Sequence, residues 1–125
     1  MTGTPKSLGY RFPAEWEKHE ATWLTYPVHE ASFPGKMDKI IRPYHQFIRC
    51  IATAEKVKIN VHDQTLLNYL ETLFREEEMD FSAIEFYIHP SDDVWCRDHG
   101  PCFVVNPLIP EKKAVVNWIF NAWGK

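Results

Sequence analysis

The sequence predicts an α/β fold built on parallel strands. Val57, Ile59 and Val61 alternate with polar residues, and Ile84, Phe86 and Ile88 do the same, the period-two pattern of half-buried strands. Between them Leu66, Leu67, Leu70, Leu73 and Phe74 recur at three- and four-residue spacing, the pattern of an amphipathic helix. A strand, a helix and a second strand in that order make a βαβ unit, with parallel strands and a right-handed crossover. The chain's 125 residues are the length of one domain, and its 14% aromatic content supplies large side chains for a core.

The elements follow in chain order. Residues 1–10 are polar and read as loose. Thr22, Trp23, Leu24, Thr25 and Tyr26 are strand formers stopped by Pro27, and Phe33-Pro34-Gly35 marks the loop that follows. Met37, Ile40, Ile41, Tyr44, Phe47, Ile48 and Ile51 have helical spacing. Pro43 would break a helix interior, so the regular helix is expected mostly after it, with Pro43 in the first turn. Asp63 is placed to cap the second helix, which the acidic run Glu76–Glu78 ends. Pro90 to Asp93 form a turn that leads into Val94–Pro101. Cys102–Val105 and Ala114–Phe120 are further strands. The aromatic-rich stop at residues 121–125 leaves a sheet edge uncovered, so the chain is expected to be a fragment of a larger fold.

Charge and composition exclude several classes. A net charge of −3 with no basic stripe argues against a nucleic-acid binder. The apolar runs fall short of a membrane span, and the N-terminus shows no apolar signal region. Three cysteines, Cys50, Cys96 and Cys102, at sparse spacing read as free thiols in a reducing cytoplasm. No His, Cys or carboxylate spacing forms a metal pattern, and no phosphate loop or serine elbow is present.

The densest polar cluster is Asp92 to Gly100, with three Asp, one Arg, one His and one Cys. A solvated turn with a local Arg–Asp ion pair explains it about as well as a binding site does. In an extended segment Cys96 and Asp98 would share one face. A carboxylate there could grip a planar guanidinium through two charge-assisted hydrogen bonds. A thiolate could attack its carbon. A neighbouring Asp, however, raises a thiol's pKa, so packing is the favoured role for Cys96. His99 is the general-base candidate by residue type. Trp95 and Trp123 could add cation–π attraction to a bound cation, against a default of core packing.

Three stretches carry a family resemblance: Phe12-Pro-Ala-Glu-Trp-Glu-Lys-His-Glu-Ala-Thr-Trp-Leu, Trp95-Cys-Arg-Asp-His-Gly-Pro-Cys-Phe-Val-Val-Asn106, and Phe120-Asn-Ala-Trp-Gly124. In order and spacing they resemble the opening of the agmatine deiminases and the bacterial, Porphyromonas-type peptidyl-arginine deiminases grouped with them. The likeness runs from about Arg11 to the last residue. The resemblance implies the pentein fold, a five-bladed α/β propeller. The chain would cover its first one to two blades, with residues 1–125 forming the N-terminal part of a single catalytic domain.

The resemblance further implies hydrolysis of a guanidinium to a ureido group and ammonia, with agmatine giving N-carbamoylputrescine in putrescine and polyamine synthesis. A cysteine thiolate attacks the guanidinium carbon, a histidine serves as acid and base, carboxylates hold the guanidinium, and no metal or organic cofactor takes part. The aspartate of the motif falls on Asp98, the expected catalytic and substrate-binding residue, with Trp95 and Trp123 beside it. The family's nucleophile lies near the end of a longer chain and its histidine in the middle, so neither is expected within these residues. Cys96 and Cys102 stand where the family carries other small or apolar residues, and His99 where it varies. The expected partner is a small guanidinium substrate, and assembly into a homo-oligomer is compatible with the text. Peptidyl-arginine or free arginine as substrate remains an alternative, as does a non-catalytic guanidinium-binding module.

Overall fold

Alternation in β1 (Ala21–Thr25), β2 (Lys56–Val61) and β3 (Ile84–Ile88) gives each strand one apolar and one polar face, and the three pair into a parallel sheet of order β1-β2-β3. The computed structural model describes residues 3–110 and 112–122. Register is Thr25 opposite Asn60 and Asn60 opposite Tyr87. Each parallel pairing needs a crossover, and the sequence supplies one helix for each: α1 (Met37–Ala52) and α2 (Gln64–Glu76).

The chain divides into two units, His19–Cys96 and a second one made of residues up to Lys18 together with Arg97 onward. In the first, Val57, Ile59 and Val61 of β2 are fully buried with Ile48 of α1 and Leu70 and Phe74 of α2, so both helices pack on one face of the sheet. Burying each such side chain stabilises by about 1.5–3 kcal/mol. The other face is polar and aromatic. There the Lys58 ammonium lies 5.6 Å from the Trp23 ring centre and 6.0 Å from that of Tyr87.

Pro43 corrects the sequence reading of α1. The helix begins at Met37 and runs through Pro43, which lies in its interior rather than its first turn. An interior proline costs about 3 kcal/mol. Ile41, upstream of the proline, packs on the core with Tyr44 and Ile51, so apolar burial holds the turn that local preference would break. Asp63 caps α2 as expected, accepting from the Leu66 amide at 2.8 Å. At its other end Glu78 has a left-handed φ of 55°, and the Met79 amide donates to the Phe74 carbonyl at 2.9 Å. This six-to-one bond closes the helix, with Met79 buried.

Beneath α1, Tyr26, His45, Glu77 and Arg49 form a polar chain. The buried His45 ring meets the Tyr26 hydroxyl at 2.9 Å and Glu77 at 2.8 Å, and Arg49 reaches Glu77 at 3.1 Å. Burial alone would push the Glu77 carboxyl up. The hydrogen bonds from His45 and Arg49 outweigh it, leaving the group below its ordinary value.

The second unit is an antiparallel hairpin of β4 (Cys102–Val105) and β5 (Lys113–Val116), with Arg11 bridging to Val105. β5 stops at Val116, short of the predicted Phe120. Asn106 is buried and donates to the Leu8 carbonyl at 3.2 Å. Gly9 lets the chain pass there: its φ is +79°, and a Cβ would lie 2.9 Å from the Asn106 amide nitrogen. Arg11 grips Glu17 with two bonds of 2.6 and 2.7 Å, and these hold the Glu17 carboxyl down at about 2.

Candidate functional site

The carboxyl ends of parallel strands are where α/β sheets place their ligands, because loops diverge there. At this edge Thr25, Asn60 and His89 stand in a row across β1, β2 and the end of β3 on the polar face. The His89 ring meets the Asn60 side-chain oxygen Oδ1 at 3.0 Å, and the Asn60 side-chain amide donates to the Thr25 hydroxyl at 3.2 Å. An amide oxygen only accepts, so Nδ1 of His89 carries the proton. The row ends at Cys96, whose sulfur lies 3.0 Å from the Thr25 hydroxyl. Burial raises the Cys96 thiol above its ordinary value, although the Thr25 contact pulls the other way. A thiol held protonated is a poor nucleophile. The packing role favoured for Cys96 fits this environment.

The loop after β1 holds the segment that leads to Trp95. His29 Nε2 lies 2.9 Å from the Ser91 carbonyl oxygen, and the Ser32 hydroxyl donates to Asp93 at 3.0 Å. The same Asp93 oxygen accepts from the Val94 amide at 2.8 Å. The Phe33 and Trp95 ring centres are 6.2 Å apart, and Trp95 remains 47% exposed, a ring that a ligand could reach. A cavity of about 330 Å³ lies under this loop, lined by Pro27, Phe33, Pro43, Tyr44, Phe47 and Val94. Its lining is apolar apart from the cationic Lys39, which suits no guanidinium.

From Cys96 to His99 the chain forms one helical turn, α3, rather than the extended segment considered from sequence. Residues two apart in a helix point about 200° apart. Cys96 and Asp98 therefore do not share a face. Asp98 is exposed and belongs to the hairpin unit, whereas Trp95 belongs to the three-stranded unit. The Arg97 guanidinium meets Glu15 at 2.6 Å, tying the turn to the N-terminal segment. His99 packs edge-on to Phe120 at 6.4 Å, and its Nε2 is buried with no hydrogen-bond partner among the described residues. Trp123 lies outside the described residues. Among those described, no group of three or more His, Cys, Asp or Glu is placed to hold a metal ion. No described helix is long and apolar enough to cross a membrane.

The sequence did not single out Thr25, Asn60, His89, Ser32 or Asp93 for these contacts. Thr25 reads as one of several strand formers, and Asn60 as a polar position in an alternating strand. The parallel register, which no local pattern encodes, is what lines them up.

Residues 11–125 match the family model for the Porphyromonas-type peptidyl-arginine deiminases. The chain belongs to that family. The deiminase-family sequence is 33% identical over 125 residues to the agmatine deiminase of Pseudomonas aeruginosa (strain LESB58), covering 98% of this chain and 31% of the relative. Among solved structures it resembles one provisionally named an agmatine deiminase, with TM-score 0.80 and 31% identity over 97% of this chain and 32% of that one. It also resembles a cysteine-to-serine variant of C. jejuni agmatine deiminase with substrate bound, with TM-score 0.71 and 25% identity over 92% and 31% of the two chains. The fold is that of the pentein α/β propeller over the part the chain represents. The chain spans about a third of the length of the curated relatives it matches.

Proposed function

We propose that the complete protein is a guanidine hydrolase that converts agmatine to N-carbamoylputrescine and ammonia, and that residues 1–125 form the N-terminal part of its single catalytic domain. Asp98 binds the guanidinium through paired hydrogen bonds and steadies its positive charge during attack. The Trp95 ring adds cation–π attraction, and Trp123 is the second aromatic contact. A cysteine elsewhere in the protein adds to the guanidinium carbon and ammonia leaves. Water then releases the ureido product, with a histidine moving the protons. The protein works in the cytoplasm, in polyamine synthesis.

The observation that carries this reading is the Trp95-Cys-Arg-Asp98 motif within a family match that runs from Arg11 to the end of the chain. The relatives' names favour agmatine over peptidyl-arginine, the substrate in the family's name. Ureido-product formation from agmatine, free arginine and a peptidyl-arginine, measured in parallel on the complete gene product, tests the proposal. Turnover of agmatine well above the other two supports it. Preference for either arginine substrate reassigns the specificity. Binding of all three without product favours the non-catalytic module.

A further inference from the structure

We propose that Asp93 is a positioning residue for Trp95, acting with Ser32; this rests on the reading of Trp95 as a substrate contact. A single Asp93 oxygen accepts two hydrogen bonds, from the Ser32 hydroxyl at 3.0 Å and from the Val94 amide at 2.8 Å. It thereby joins the loop after β1 to the peptide that precedes the Trp95 backbone. The contacts that follow along the segment repeat the arrangement: Phe33 meets the Trp95 ring at 6.2 Å, and Thr25 meets the Cys96 sulfur at 3.0 Å. Three residues of the same short segment, 93, 95 and 96, are thus held from β1 and its following loop.

A half-exposed indole on an irregular segment has rotamer and backbone freedom that a cation-binding face must lose on binding. Fixing the segment beforehand removes that cost. Asp93 ties the loop after β1 to the peptide immediately before Trp95, where a small backbone movement would turn the ring most. The ring face attracts a cation equally in the ground state and the transition state, so its misplacement acts on substrate affinity rather than on the chemical step.

The test uses the complete gene product and two readouts. Asp93→Ala and Ser32→Ala are each expected to raise KM for the guanidinium substrate about three- to fivefold with kcat changed less than about twofold, the scale of one exposed cation–π contact. Asp93→Asn keeps an accepting oxygen and is expected to restore normal KM. In a Trp95→Ala background neither change should have any further effect. A KM effect of equal size in that background overturns the proposal. Independently of turnover, 5-fluorotryptophan labelling gives a ¹⁹F resonance for Trp95, assigned with Trp95→Phe. Ser32→Ala and Asp93→Ala should shift or broaden it, and Asp93→Asn should not. An unmoved Trp95 resonance in both alanine variants refutes the positioning role even if the protein has no deiminase activity. A moved resonance without turnover leaves the positioning intact and removes the substrate assignment instead.

Discussion

The Thr25 hydroxyl lies 3.0 Å from the Cys96 sulfur while it also accepts a hydrogen bond from the Asn60 amide. A hydroxyl has one proton and two lone pairs, so with Asn60 on one of them either the hydroxyl or the thiol can donate in the Thr25–Cys96 contact. Cys96 is then a packed hydrogen-bonding thiol, raised by burial above its ordinary value. Cys96→Ala in the complete gene product is expected to keep turnover within about tenfold of the parent, far from the loss of a nucleophile. In the parent protein at neutral pH, iodoacetamide should label the exposed Cys50 well before Cys96, as peptide mass spectrometry would show.

Asp98→Asn should behave in the opposite way. The substitution keeps the shape and removes the charge that would clamp a guanidinium. Turnover is expected to fall at least about a hundredfold in steady-state assays. Activity near that of the parent would displace Asp98 from the site.

Glu77 links folding to pH. Its carboxyl lies below its ordinary value in the fold, so the unfolded chain binds the proton more tightly. The resulting stability is present above the unfolded value of about 4.3 and is lost as the pH falls through the lower folded value. Urea midpoints followed from pH 6 downward should fall less steeply in Glu77→Gln than in the parent.

Glu78 carries a side chain where the chain turns left-handed, at a φ of 55°. Glycine adopts that conformation without the Cβ clash, a difference of about 1 kcal/mol. Glu78→Gly is expected to raise the unfolding midpoint by a few degrees in calorimetry. A lower midpoint would show that the Glu78 side chain contributes more than its backbone strain costs.

Local pattern revealed the strands and helices well. Alternation in Val57–Val61 and Ile84–Ile88 and the leucine spacing of α2 each reflect one buried face, which a short stretch of text can express. Pro43 was misplaced because its local penalty is offset by packing of residues distant in sequence. The turn at Cys96–His99 was not legible, since four residues carry no periodicity. The motif around Asp98 could be matched to a family. The row from His89 to Cys96 could not be seen, because it exists only once three strands are in register.

Every pairing of the three-stranded sheet passes through β2, since β1 and β3 touch it from opposite sides and not each other. No two strands of this sheet therefore pair without β2. The middle strand must be protected first and released last, with β2 amides the slowest to exchange with deuterium. Either outer strand can detach alone, leaving one pairing intact, whereas departure of β2 dissolves the whole sheet and the row of side chains at its edge in a single step.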